Sequence, residues 1–137
     1  MKVEQDEEDE FLNLKGNETI LLVEDDELIR TFTYETLITL GYKVLEAEDG
    51  LEAYNILEKE GKDINLLLTD LVMPKMDGKE LSQQALKLFP NIKILFVSGY
   101  TKNYLTQSDF LIDDIEFMHK PYLVNDLANK VREVLDS

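Results

Sequence analysis

The sequence predicts an α/β domain: a doubly wound parallel sheet of five strands with helices on both faces. Short apolar runs alternate with helical patterns from Thr19 onward. The runs at residues 20–23 and 66–68 are apolar throughout rather than alternating, as strands buried on both faces are. Right-handed crossovers between strands separated by helices leave few other arrangements. At 137 residues the chain makes one domain, long enough for a substantial core.

The first strand, Thr19–Val23, runs into Glu24-Asp25-Asp26. In the next helix Ile29, Phe32, Leu37 and Leu40 lie roughly on one face, and Gly41 suits a left-handed cap. Residues 42–47 form a second strand whose weaker alternation fits a sheet edge. Asp49-Gly50 turns the chain into a helix carrying Ala53, Ile56 and Leu57 that ends near Gly61. The third strand, 65–69, leads to Asp70 and then to the loop Met73-Pro74-Lys75-Met76-Asp77-Gly78. Leu81, Ala85 and Leu88 recur at the spacing of a buried helical stripe, and Pro90 stops that helix. Residues 92–97 make a fourth strand ending at Ser98-Gly99. A short polar helix is expected from Thr101. Residues 115–118 make the fifth strand, Lys120-Pro121 follows, and Leu127, Val131 and Val134 stripe the last helix.

The net charge of −15 argues against nucleic acid, whose binding needs Lys and Arg to displace counterions. With no Cys there are no disulfides, thiol chemistry or Cys-based zinc sites. No apolar run approaches membrane-spanning length and no signal peptide is visible, so the expected location is cytoplasmic. Much of the acidity sits in Glu4-Gln5-Asp6-Glu7-Glu8-Asp9-Glu10, a block that repels itself. Residues 1–18 are therefore expected to be a disordered tail or linker, and 19–137 the folded domain. A sharper alternative has Phe11, Leu12 and Leu14 docking or continuing an upstream helix.

Asp70 is the most informative residue. A carboxylate at the tip of a buried strand costs free energy unless it is paired, hydrogen-bonded or bound to a cation. In a parallel sheet the C-terminal strand ends meet on one edge, where ligands bind at the topological switch point. If the first and third strands are neighbours, Glu24, Asp25 and Asp70 converge and repel, which raises at least one pKa unless a cation sits among them. Hard oxygen ligands with an open side suit Mg²⁺. Asp26 is better placed to cap the following helix. Ser98 and Lys120 finish strands on the same edge, a hydroxyl and an ammonium able to hold a phosphoryl group. Separately, each has a plain alternative: Asp70 and Ser98 as turn residues, Lys120 as a solvated charge. Their joint occurrence at successive strand ends is harder to obtain by chance.

These residues resemble a receiver (response-regulator) domain of two-component signalling. The resemblance covers roughly residues 18–136. It rests on Leu22-Val23-Glu24-Asp25-Asp26, the stretch from Thr69-Asp70 through Met73-Pro74-Lys75-Met76-Asp77-Gly78, Val97-Ser98-Gly99 and Lys120-Pro121. It implies a flavodoxin-like strand order 2-1-3-4-5. It further implies Asp70 as phosphoacceptor, Glu24 and Asp25 as Mg²⁺ carboxylates and the Val72 backbone carbonyl as a further ligand. Ser98 and Lys120 would contact phosphoryl oxygens. Ser98 and Phe117 would form the switch, altering the surface of the fourth helix (residues 101–107), fifth strand and fifth helix (residues 127–134). The implied partners are a histidine kinase or phosphotransfer protein and a downstream phosphate acceptor. A homodimer through that helix–strand–helix face stays open. The 97–101 stretch, residues 16–20 and residues 131–135 resemble the C-terminal receiver of a hybrid sensor kinase, itself anchored in a membrane or not. The domain would not be an enzyme beyond assisting its own phosphorylation and dephosphorylation.

Several positions depart from the commonest family pattern. Glu24 replaces Asp, Ser98 replaces Thr, Phe117 lacks a hydroxyl, and Leu123 stands where a capping hydroxyl is common. Neither Val72 nor Tyr100 is suited to orient an attacking water, so slow autodephosphorylation is expected. His119, the single histidine, has no metal-sharing partner in the sequence. The competing function is a small Mg²⁺-dependent phosphohydrolase working through an aspartyl phosphate. Such enzymes place a second Asp two residues after the nucleophile, where this chain has Val72. A GTPase-like switch lacks a loop of the G-x-x-x-x-G-K-S/T form.

Overall fold

The computed structural model describes residues 14–99 and 116–137. Five parallel strands form one sheet: β1 (Thr19–Val23), β2 (Lys43–Ala47), β3 (Leu66–Asp70), β4 (Lys93–Ser98) and β5 (Phe117–His119). Their order is β2-β1-β3-β4-β5, as the resemblance implied. The helices are α1 (Glu27–Thr39), α2 (Gly50–Glu60), α3 (Gly78–Leu88) and the C-terminal α4 (Val124–Asp136). The expected helix at residues 101–107, together with Ile115 and Tyr100, lies outside the described residues. Because β2 and β3 flank β1 on opposite sides, the chain reverses direction between β1 and β3. That reversal creates the crevice at the carboxyl ends of these strands.

Strand parity sorts the core into two layers. Ile20 and Leu22 of β1, with Leu66, Leu68, Leu95 and Val97, point toward α1 and α4. Leu21, Val23 and Leu67 point the other way, against Ala53 and Leu57 of α2 and Leu81 and Ala85 of α3. Every residue of β3 is buried, including Asp70. Burying a Leu or Ile side chain fully contributes roughly 1.5–3 kcal/mol, so β3 is the strand least able to accept a polar replacement. The edge position of β2 matches its half-exposed residues.

Three helices start on aspartate caps, which satisfy amide groups that have no helical partner. Asp26 accepts from Ile29 N at 3.1 Å, Asp49 from Glu52 N at 2.8 Å and Asp77 from Glu80 N at 2.8 Å. At α4, Leu123 offers no side-chain cap, and the Asp126 carboxylate instead accepts from the Leu123 amide at 3.1 Å. Gly41 ends α1 with φ at 101°. Its amide donates to Ile38 O at 2.9 Å and that of Tyr42 to Leu37 O at 3.2 Å, the paired bonds of a Schellman cap.

Two expected core positions are corrected. Phe32 is 38% exposed and Leu88 40% exposed. On α1 the inward positions between Phe32 and Leu37 belong to Thr33 and Thr36, which are buried. Their hydroxyls are satisfied: Thr33 shares a 2.6 Å hydrogen bond with the Tyr122 hydroxyl, and Thr36 donates to Phe32 O at 2.9 Å. Phe32 slides outward and leans on the Tyr122 ring, centroids 6.2 Å apart. Leu88 sits in the last turn of α3, where Phe89 takes over the inward packing.

Residues 14–18 lie along the N-terminal edge of the sheet. Leu14 packs against the α1–α4 layer, and Gly16 N donates to Leu40 O at 3.1 Å. Arg132 of α4 binds Glu18 Oε2 at 2.5 Å, Asp136 Oδ1 at 2.8 Å, Tyr42 Oη at 3.2 Å and Lys15 O at 3.3 Å. Among the described residues no helix is long and apolar enough to cross a membrane.

Candidate functional site

Asp70 is the last residue of β3, held between β1 and β4. The backbone around it is tied down: Leu71 N donates to Val97 O at 3.1 Å, and Thr69 Oγ1 donates to Asp70 O at 2.9 Å. Gly78 N closes the β3–α3 loop onto Leu71 O at 2.8 Å. A side chain at Gly78 would overlap the Asp70 carbonyl oxygen, so the loop can return this closely only over glycine. The Asp70 carboxylate stays at the surface of the crevice and accepts from Lys120 Nζ at 2.9 Å.

Lys120 follows β5, and its amide donates to Ser98 O at 2.8 Å, extending the β4–β5 ladder by one bond. The Lys120–Pro121 peptide bond is cis. From the far side of β4 the ammonium reaches past that strand to β3 and β1. Besides Asp70 it contacts Glu24 Oε1 at 2.5 Å. Burial disfavours the charge on Lys120, but the bonds from Glu24 and Asp70 outweigh this and raise its pKa above the ordinary lysine value.

Glu24 leaves β1 fully buried. Its amide donates to Ala47 O at 3.1 Å and its carbonyl accepts from Arg30 Nη1 at 2.8 Å, fixing the turn into α1. Side-chain Oε2 accepts from Asp26 N at 3.1 Å. Oε1 is buried and paired with the Lys120 ammonium. Burial pushes the Glu24 pKa up to about 7; Lys120 and the Asp26 amide oppose the rise, and the Asp70 charge adds to it. The sequence predicted a raised carboxylate from crowding. Burial is the larger cause.

Glu24, Asp25 and Asp70 each present an oxygen, all within 4.8 Å of one another. Asp25 is exposed, so the cluster opens to solvent on one side. Three hard oxygen donors sharing a single ammonium fit a divalent cation that keeps part of its water shell. The expected convergence of these three residues with Lys120 is therefore present.

Ser98 ends β4, buried, beside Lys120. The Val72 side chain, two residues past Asp70, is 46% exposed. Phe117 is half-buried on β5, against the small cluster of Leu71 and Phe96. His119 is exposed and meets the Phe117 ring edge-on, centroids 6.4 Å apart. The sequence reading missed Arg30 and the contact of Gly50 with the β3–α3 loop. Asp49-Gly50 read only as a turn, and no local pattern says which loop that turn touches.

The family described as the response regulator receiver domain matches residues 20–132. The sensor kinase CckA of Brucella abortus (strain 2308) is 37% identical over 124 residues, covering 90% of this chain but 13% of that kinase. The response regulator receiver protein CpdR of the same organism is 38% identical over 116 residues, covering 85% of this chain and 95% of CpdR. Among solved structures, the receiver domain from the hybrid histidine kinase CckA has a TM-score of 0.73 at 34% identity, covering 85% of this chain and 98% of that one. A CheY-like receiver domain protein from Methanospirillum hungatei JF-1 has a TM-score of 0.77 at 33% identity, covering 88% and 95%.

Proposed function

The chain belongs to the response regulator receiver domain family of two-component signalling, and on that premise we propose that Asp70 is its phosphoacceptor. Receiver domains are signalling domains that interact with histidine kinases or phosphotransfer proteins and generally bind Mg²⁺ at an acidic pocket. The observation that carries the reading is the meeting of Asp70, Glu24 and Asp25 with Lys120 at one sheet edge. An aspartyl-phosphate phosphohydrolase is not favoured, since Val72 stands where such an enzyme needs an acid.

In the proposed reaction an Asp70 oxygen attacks the phosphorus of a donor phosphohistidine in line. The new O–P bond forms as the N–P bond breaks, and the donor nitrogen keeps the electron pair and takes up a proton. Glu24, Asp25, Asp70 and the Val72 carbonyl would hold Mg²⁺, which when bound supplies positive charge against the phosphoryl oxygens. Lys120 adds a second positive charge and Ser98 a hydroxyl, so catalysis is positioning and electrostatics. The ammonium already lies 2.9 Å from Asp70. Ser98 and Phe117 would then carry the change to β5 and α4 as a population shift. The receiver spans residues 19–137, with residues 14–18 of the 1–18 leader packed along its back, and works in the cytoplasm.

A protein donor must cover the mouth of this crevice. Ile29, Phe32, Pro121 and Tyr122 line an apolar cavity of about 320 Å³ that Lys120 borders. Leu123, the next residue, is 73% exposed. An apolar surface beside the reacting group supports docking of a histidine kinase or phosphotransfer protein there.

Incubation with Mg²⁺ and acetyl phosphate, followed by intact-mass measurement, tests the proposal. A single labile, Mg²⁺-dependent adduct is expected, absent from Asp70→Asn. An adduct that persists in Asp70→Asn would refute the assignment. Its decay should take minutes or longer, because Val72 cannot orient water; decay within seconds would remove that explanation.

A further inference from the structure

Two loops meet beside the acidic site, and the second brings no group to the chemistry. The β3–α3 loop carries Val72 and returns over Asp70. The β2–α2 turn is Asp49-Gly50, 20 residues before Asp70 in the chain. Between them the contact is backbone to backbone: a side chain at Gly50 would overlap the Met76 carbonyl oxygen and lie 2.6 Å from Met76 Cβ. The Met76 side chain packs on the α2–α3 layer. Asp49 works on both sides of this seam. Its Oδ1 caps α2, and its Oδ2 lies 3.5 Å from Lys75 Nζ.

The loop needs such support. Lys75 has φ at 71°, a conformation that non-glycine residues adopt only when their surroundings impose it. Met76 N folds back onto Pro74 O at 2.9 Å. Asp77 caps α3, and Gly78 rests against the Asp70 backbone. The loop is therefore pinned at its far end to the backbone of Asp70 and at its middle to Gly50. A displacement at Met76 has only two residues, Asp77 and Gly78, in which to dissipate before it reaches the Asp70 carbonyl.

We propose that Gly50 is a positioning residue for the acidic site, seating the β3–α3 loop so that Asp70 and Val72 stand where a divalent cation can use them. The inference rests on the reading of Asp70 and Val72 as cation ligands, and goes beyond it by giving a role to a residue that touches neither. Outer-shell supports of this kind act on metal affinity rather than on the fold alone.

The test is Mg²⁺ affinity, measured by calorimetry and by the Mg²⁺-induced rise in melting temperature, on the full chain with no phosphodonor. Gly50→Ala should weaken Mg²⁺ binding by about tenfold, the scale of outer-shell losses. Gly61→Ala is the matched comparison. A side chain there would overlap the Phe89 ring, remote from the acidic edge. It should lower the melting temperature while leaving Mg²⁺ affinity within about twofold, since distant sites act independently. Unchanged affinity in Gly50→Ala, or equal weakening in both variants, overturns the proposal. If Gly50→Ala does not fold, Met76→Gly decides, because it removes the Cβ seated against Gly50 and loosens the loop backbone there: weaker binding supports the seat and wild-type affinity refutes it. Asp25→Asn separates the two layers of the argument. If it binds Mg²⁺ as wild type does, the reading of the site itself fails, whatever Gly50 does.

Discussion

Lys120 and Arg132 are both cations set among carboxylates, at opposite edges of the same sheet, and they are finished differently. Around Arg132 the accounts close: Nε, Nη1 and Nη2 all donate, to Asp136, Glu18, Tyr42 and the Lys15 carbonyl. The guanidinium bond holds the Glu18 carboxyl below its ordinary pKa. Around Lys120 one ammonium serves both Glu24 and Asp70, while Asp25 stands nearby. Burial there drives a glutamate up to about 7 instead of down. A cluster built to hold the fold satisfies its carboxylates internally. One left short of positive charge can accept it from outside.

The sharpest way to break the contrast is to remove each cation in turn. Lys120→Met should slow adduct formation from acetyl phosphate by roughly 100-fold, the scale of losing one charge-stabilising donor, with Mg²⁺ binding retained. Intact-mass time courses would show this, and a wild-type rate would deny Lys120 its role. Arg132→Met should leave the adduct rate alone and lower stability by roughly 1–3 kcal/mol in denaturant unfolding, the range for breaking a partly buried, hydrogen-bonded ion pair.

The smallest effects are in pH, and they have opposite signs. Glu18 has a folded pKa below the reference 4.5, so its contribution is present above that pH and lost as pH falls through the folded value. The stability advantage of wild type over Glu18→Gln should therefore shrink on acidification below 4.5. Glu24 has a folded pKa raised to about 7, so its burial increasingly opposes folding as pH rises from 4.5 to 7. In chelator, Glu24→Gln should gain on wild type across that interval and hold its gain above it. Urea unfolding at several pH values reads both slopes, and slopes of the same sign would erase the distinction.

The sheet and the acidic edge were legible because their signals are local. An apolar run ending in an acid marks a strand tip, and two such ends plus Ser98 and Lys120 suffice to draw one edge. Asp26 announced its capping role by standing just before a helical pattern. What the sequence hid depends on partners far away in the chain. Phe32 turns outward while Thr33 packs inward, where Tyr122, 89 residues on, offers the threonine a hydroxyl. The anchoring role of Arg132 has no sequence signal, since nothing near it names Glu18, 114 residues earlier. Spacing shows which side chains share a face, and it is silent on which face a distant hydroxyl or carboxylate will reward.

The strap at residues 14–18 has a consequence for how the domain is mounted. The chain enters β1 at the edge opposite Asp70. At the other end, the carbonyl of Ser137 accepts from Lys93 Nζ at 2.7 Å, at the start of β4 on that same edge. Five-residue strands separate both attachment points from the acidic edge by roughly 15 Å. Residues 14–18 and the Ser137 carbonyl therefore both lie on the face away from Asp70, which leaves the acidic edge clear for a donor.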